Sequence, residues 1–394
     1  MQGEVRPGYK QTDAGVIPED WEVRELREIG VADWGNTAVT KREYRDYGFQ
    51  AFSASGPDGF VSWYEHDEPG VVISAIGAQC GKTWLAKGRW TPIKNTIWFR
   101  SDEAKANVDY LFRVTGDPNF WPKSGQAQPF VAVNGVRKAL VALPPTVEEQ
   151  RAIAAALADA DSLIAALEGM IAKKRDLKQA AMQRLLTGRT RLPGFSAEWQ
   201  VKRLGDLGSF FKGRGISRNQ AQSGEIPCVR YGEIYTVHHD VIRSFASRIS
   251  REVAETATLL RYGDLLFAGS GETKEEIGKC VAMGTNTEAY AGGDIVILRP
   301  KVGDPFFLGY LMNTSSVVRQ KANFGQGDAV VHISARALAN IEVALPDPTE
   351  QTAIAEILSD MDADLAALDS RLAKARSVKQ GMMQQLLTGQ VRLI

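Results

Sequence analysis

A chain of 394 residues is longer than one ordinary domain and suits two or three. Its 47 basic and 47 acidic residues cancel, so it lacks the basic excess that marks many nucleic-acid binders, although a neutral total still permits a basic face. No stretch nears the roughly 18 apolar residues of a membrane span, and the opening MQGEVRPGYKQTDAG has no apolar core of a secretory signal.

In chain order, residues 21–143 hold short apolar runs broken by turn residues, such as Gly70-Val-Val-Ile-Ser74 and Asn95-Thr-Ile-Trp-Phe-Arg100. These predict β-strands of an irregular mixed domain. Pro144 and Pro145 stop the last strand, and Thr146-Val-Glu-Glu149 offers a capping box for a helix. Apolar residues then recur at alternating steps of four and three, with Ile153, Leu157, Ile164, Leu167 and Ile171 on one seam, as in a coiled coil. The helix runs to Leu-Leu-Thr-Gly, where Gly188 supplies a residue tolerant of positive φ.

Residues 199–345 repeat the strand-rich character, for example in Asp294-Ile-Val-Ile-Leu-Arg299. A second helix follows, with Pro348 in its first turn beside Thr349, a seam of Ile354, Leu358, Leu365, Leu368 and Leu372, and Gly389 at its end. Residues 150–192 and 351–393 agree at 23 of 43 positions without a gap, which only an internal duplication gives. A helix of some 40 residues would be a rod of roughly 60 Å. Two matching helices favour pairing with each other over separate core roles.

Reaction motifs fail on spacing. Gly77-Ala-Gln-Cys-Gly-Lys-Thr83 has three residues between its glycines where a phosphate-binding loop needs four. Phe267-Ala-Gly-Ser-Gly271 resembles a methyltransferase cofactor loop, but no Asn/Asp-Pro-Pro-Tyr/Phe adenine clamp accompanies it. Glu103-Ala-Lys105 and Glu272-Thr-Lys274 lack the upstream Pro-Asp of a nuclease, and His238-His239 lacks the spacing of a metal site. The three cysteines form no CxxC pair, so neither a disulfide framework nor structural zinc is expected, and a reducing cytoplasm fits. Neither a catalytic residue nor a metal ligand is assigned.

What remains could touch DNA. Lys212, Arg214 and Arg218 lie in a basic, glycine-containing loop suited to phosphate. Gln126 and Gln128 in Gly125-Gln-Ala-Gln128, and Gln326 in Gly325-Gln-Gly-Asp328, stand at matching places before each helix, and Gln can bond adenine bidentately. Lys82, Lys123, Arg230 and Lys279 complete the candidate set. Each of these segments also reads as an ordinary turn.

The order of these elements resembles the specificity subunits of type I restriction–modification systems. The likeness rests on Gly8-Tyr-Lys10 … Gly15-Val-Ile-Pro-Glu-Asp-Trp21, on Leu143-Pro144 … Glu149-Gln150 and Leu345-Pro346 … Glu350-Gln351, and on Leu-Leu-Thr-Gly followed by Arg191-Leu-Pro-Gly-Phe195 … Trp199. It implies an α+β chain of two pseudo-symmetric mixed α/β target-recognition domains, residues 1–143 and 191–345. They would be separated by a pair of long antiparallel coiled-coil helices, residues 144–190 and 346–394. It further implies a non-catalytic, cytoplasmic subunit that reads one half of a split, asymmetric site in double-stranded DNA with each domain. The helices would act as a ruler between half-sites and recruit two modification subunits. Those partners would hold S-adenosylmethionine and methylate adenine N6, so no cofactor is expected in this chain. A restriction or motor subunit is compatible with the resemblance. The alternative left open is a coiled-coil scaffold that never touches DNA.

Overall fold

The computed structural model describes residues 6–125, 128–327 and 330–393. Gln126 of the candidate set lies outside the described residues. Two helices of 39 residues dominate, α1 (Val147–Leu185) and α2 (Pro348–Leu386). The chain forms two compact units that do not follow chain order. One comprises Met1–Glu168 with Ser370–Ile394, the other Gly169–Asp369, so the boundary cuts each long helix near its middle.

The first unit is built on an antiparallel sheet of β1 (Gly30–Trp34), β2 (Gly70–Ser74), β3 (Thr83–Ala86) and β4 (Thr96–Ser101), in the order β1-β4-β2-β3. All five residues of β2 are buried, which explains its unbroken apolar run. The second unit holds β5 (Gly208–Lys212), β6 (Val241–Ile242), β7 (Leu265–Ala268), β8 (Cys280–Met283) and β9 (Ile295–Pro300), in the order β5-β9-β7-β8-β6. The expected strand Gly70–Ser74 is present as read, and the other two are shifted by one residue: Asn95 and Asp294 stand just before β4 and β9 at φ 72° and 57°. These two residue types tolerate the left-handed region better than other side chains do.

Each core is closed by the start of one long helix and the end of the other. Ile153, Ala154 and Leu157 from the start of α1 join Leu386 from the end of α2 in the first core. Ile354, Ala355 and Leu358 join Leu185 and Leu186 in the second. At its ends the expected seam merges with the domain cores. Ile153 and Leu157 share one core with Leu386 of α2, and Ile354 and Leu358 share the other with Leu185 of α1, while Ile164, Leu167, Ile171, Leu365, Leu368 and Leu372 lie between these ends. Leu167, Ile171, Leu368 and Leu372 are buried, while Ile164 and Leu365 are half-buried.

Ion pairs give the helix direction. In the first unit Asp161 pairs with Lys379 at 2.5 Å and Glu168 with Arg376 at 2.6 Å. In the second, Lys174 pairs with Asp364 at 2.5 Å and Lys178 with Asp362 at 2.6 Å. Numbers rise on α1 as they fall on α2, so within each unit the helices run antiparallel.

The helix ends repeat one device. Gly188 and Gly389 sit at φ 66° and 67°, as the sequence leads one to expect. A Cβ on Gly188 would stand 3.4 Å from Trp199, and one on Gly389 would stand 2.4 Å from Pro18 and 3.1 Å from Trp21. Three residues on, Arg191 grips Glu350 with two bonds of 2.7 Å, and Arg392 grips Glu149 with bonds of 2.5 and 2.7 Å. These bidentate pairs are charge-assisted and tie each helix end to the start of the other helix. Glu149 is thus taken up by Arg392 rather than closing a capping box with Thr146, although Thr146 does accept from the Glu149 amide at 3.2 Å. At the second start the cap is Asp347, which accepts from the Thr349 and Glu350 amides.

Candidate nucleic-acid interface

In each sheet the strand ends sort the loops into two groups. At one end of the first sheet lie the start of β1, the end of β4, the start of β2 and the end of β3. The segment beyond β4 leads to Asn107, whose amide donates to Gln150 of α1 at 2.8 Å. In the second unit the Asp304 amide donates to Gln351 of α2 at 2.9 Å. Both glutamines also donate to a proline carbonyl just before their helix, Pro144 and Pro346. This end of each sheet is the helix-bound end.

The opposite end carries the long loops, and there the two domains are built alike. In the first, Gly35 donates to Thr96, Asn36 to Pro92, Ala75 to Asn95 and Val131 to Ala75, all backbone to backbone. In the second, Gly213 donates to Ile295, Arg214 to Ala291, Gly269 to Asp294 and Ile333 to Gly269. Gly35 and Gly213 are needed for this close approach, since a Cβ would meet Thr96 Oγ1 at 2.2 Å in one and the Gly292 carbonyl oxygen at 2.0 Å in the other.

The sequence-based candidates gather at these loop-bearing ends. In the first domain Lys82 stands exposed at the start of β3, and Lys123 lies over Gly81, where a Cβ would be 2.9 Å from its Cε. Gln128 is exposed in the segment before Phe130-Val131, which pairs with Lys123-Ser124. The Gly77–Thr83 stretch joins two antiparallel strands instead of opening a helix, so its backbone is not the cradle of a phosphate loop.

In the second domain Lys212 closes β5 and Arg214 and Arg218 follow in the loop after it, all three exposed. Lys212 and Gln326 line one cleft of about 470 Å³ together with Asp294, Phe324 and His332. His332 Nδ1 lies 2.9 Å from Ser270 Oγ. No sequence signal singled that pair out, since 62 residues separate its members.

Two candidates are committed elsewhere. Arg230 pairs with Glu233 at 3.3 Å, and the Arg230 amide is held by the same carboxylate. Lys279 is half-buried, donates to the Tyr235 carbonyl at 3.3 Å, and burial holds its amine below the usual lysine range. It lines a second cleft, of about 770 Å³, whose rim carries Glu272, Glu275 and Glu276. That acidic rim repels phosphate. Among the described residues no group of three or more His, Cys, Asp or Glu is placed to hold a metal ion, and no helix is long and apolar enough to cross a membrane.

Further polar groups fix the helices to the domains. Asp161 of α1 accepts from Arg113 of the first domain and from Lys379 of α2. Burial alone would raise the Asp161 carboxyl, but Lys379 and Arg113 hold it below its ordinary value. Lys178 of α1 meets Asp240 of the second domain at 2.8 Å and Asp362 of α2 at 2.6 Å, and Asp362 also accepts from Tyr310 at 2.6 Å. Burial pulls the Lys178 amine down, yet the two carboxylates leave it raised overall.

Comparison with known proteins agrees with this architecture. The model of the type I restriction modification DNA specificity domain matches residues 18–174 and 196–374. The chain is 22% identical to the type I restriction enzyme MjaVIII specificity subunit of Methanocaldococcus jannaschii, over all of this chain and 98% of that protein. It is 25% identical to the putative MjaX specificity subunit of the same organism, over 98% of this chain and 97% of that one. The fold matches the crystal structure of a type I restriction–modification S subunit from M. genitalium with a TM-score of 0.66 at 13% identity, covering 96% of this chain and 98% of the other. It also matches, at a TM-score of 0.51 and 17% identity, a chain from a structural study of complex assembly and conformational transition in a type I system, covering 95% and 99%. With both repeats matched, the chain belongs to the family of type I restriction–modification specificity subunits.

Proposed function

We propose that this chain reads a bipartite, asymmetric sequence in double-stranded DNA, one half-site per domain, through the loop-bearing ends of the two sheets. The observation that carries the reading is the duplicated construction of those ends. Both present long loops at the sheet end away from the helix junctions, and both gather exposed cations there. Exposed Lys82, Lys123, Lys212, Arg214 and Arg218 suit phosphate contact, while Gln128 and Gln326 suit base edges. The balanced total charge is consistent with this, because many remaining cations are tied into ion pairs.

The antiparallel helices serve as the spacer between readers and as the recruiting surface for two adenine-N6 modification subunits. Leu163, Met170 and Leu177, seven residues apart on α1, are 51, 46 and 53% exposed, a second apolar line that α2 leaves uncovered. Such a line suits docking of a partner helix. S-adenosylmethionine belongs to those partners, this chain is the non-catalytic reader, and the same assembly is compatible with a restriction or motor subunit.

The test is to map methylated adenines in cells that express the chain with its modification partner, then exchange residues 21–143 for those of a related chain. One half-site should change and the other persist. If both halves changed together, or if no DNA were bound, the two-reader account would fall, and a scaffold without DNA binding would take its place.

A further inference from the structure

The loops after β1 and β5 have no useful sequence similarity, yet they fold into the same turn. Lys41–Glu43 and Arg218–Gln220 are both single 3-10 turns, each at the same place behind the shared close approach of Gly35 or Gly213. Each is locked by a reciprocal cap. The Thr40 amide donates to Glu43 Oε2 at 2.8 Å and Thr40 Oγ1 lies 2.9 Å from it, while the Ser217 amide and Oγ both lie 2.9 Å from Gln220 Oε1. Each loop then returns through a glycine whose Cβ would strike a neighbouring strand's carbonyl, Gly48 on Val61 at 2.3 Å and Gly224 on Ile249 at 2.6 Å. Duplication of a turn in two otherwise divergent domains ties it to what the domains share.

The cations on the two turns differ in detail. On the second, Lys212, Arg214 and Arg218 are exposed and form no ion pair among the described residues. On the first, Lys41 pairs with Asp58, which also accepts from Tyr44 at 2.7 Å and Ser53 at 2.8 Å. Arg42 and Arg45 are exposed and have no carboxylate partner among the described residues. The Arg45 amide is bonded to the Phe60 carbonyl at 2.9 Å, so the guanidinium projects from a fixed backbone. A free guanidinium on a pinned turn is pre-organised for a phosphate, because little backbone freedom remains to be given up on binding.

We propose that Arg42, on the capped turn Thr40–Glu43, and Arg45, two residues beyond it, grip the DNA phosphate backbone in the first domain, as the counterpart of Lys212, Arg214 and Arg218 in the second. The inference rests on the DNA-reading function proposed above and names a phosphate site in the first domain that no sequence motif marks. When both guanidinium groups are removed, the slope of log K against log salt should fall by about 2. The weakening should be the same on every DNA sequence, since phosphates carry no base identity.

The experiment measures binding of the full chain, with its modification partner, to duplex DNA across a salt series. Arg42→Ala/Arg45→Ala should weaken binding at least tenfold at low salt and flatten the slope, whereas Arg42→Lys/Arg45→Lys should keep the slope. Lys105→Ala, at the helix-bound end, should change neither. Lys212→Ala/Arg214→Ala/Arg218→Ala provides the second arm. If that triple variant flattens the slope and the Arg42/Arg45 variant does not, the first-domain site is wrong while DNA reading stands. If the wild-type assembly binds no DNA, both proposals fall.

Discussion

A cation buried without a carboxylate beside it costs free energy. Lys321 is 1% exposed, and its amine donates to the Gly278 carbonyl at 2.6 Å with no ion pair among the described residues. Burial pulls the amine down to about 8. Between that value and the ordinary 10.5 the unfolded chain keeps a proton that the folded chain releases. The penalty is therefore full below pH 8 and fades as pH rises toward 10.5, for a gain of about 3 kcal/mol in that window. Replacing Lys321 with Met should raise stability at pH 7 and remove this part of the pH slope. Urea unfolding of both proteins at pH 7 and pH 10 checks it, and an unchanged difference between the two pH values would refute it. Arg392 presents the opposite case. Its partner Glu149 is 5% exposed, so Arg392→Ala leaves a buried carboxylate alone and should cost about 3 kcal/mol or more. Arg376→Ala removes a pair whose side chains are 60 and 48% exposed, and should cost under about 1 kcal/mol. Similar losses in the two unfolding midpoints would contradict this ranking.

Between the helices, the seam that periodicity predicts is continuous in sequence but divided in the fold. Ile153 and Ile354 obey the same spacing as Leu167 and Leu368, yet the first two belong to domain cores. Spacing along one helix says which face is apolar, not what covers it, so this division could not be read from α1 or α2 alone. The strands Gly70–Ser74 and those behind Asn95 and Asp294 were legible, because unbroken apolar runs bounded by turn residues have few other uses. The paired turns at 41–43 and 218–220 were not legible, because their likeness lies in backbone hydrogen bonds to distant segments and hardly in residue identity. The braces were hidden for the same reason, since Arg113 and Asp161 or Lys178 and Asp240 meet only through the fold. Those braces carry an element-level prediction. Arg113→Met frees the first domain from Asp161 while Lys379 still satisfies that carboxylate. Half-site preference should then persist, but the tolerated spacer between half-sites should broaden. Selection of methylated sites from a library with varied spacers would show it, and a spacer distribution as sharp as the wild type would remove the brace from the account.

The two compact units divide α1 between Glu168 and Gly169 and α2 between Asp369 and Ser370. Neither half of the chain forms a unit by itself, because each core takes a helix start from one repeat and a helix end from the other. This is how a duplicated sequence makes two domains without making two independent proteins. It also marks where the proposed ruler can be lengthened without touching either core. Duplicating one heptad at both boundaries, Ser162–Glu168 in α1 and Ala363–Asp369 in α2, keeps the apolar register because seven residues restore it. Each helix grows by about 10 Å at 1.5 Å per residue. A duplex rising about 34–36 Å per turn of 10–10.5 base pairs covers that length in roughly three base pairs. Those base pairs also turn the second half-site by something like 100°, which the twist of a helix pair does not follow. The expected outcome is a spacer longer by roughly one to three base pairs, unchanged half-site sequences and weaker binding. Duplicating the heptad in one helix alone should misalign pairs such as Glu168–Arg376 and Lys174–Asp364 and cost recruitment of the modification subunits. The methylated motif in cells carrying the paired duplication decides the matter. An active assembly that kept the original spacer would mean that the helices do not set the distance, and the ruler would have to be sought in the DNA or in the partner subunits.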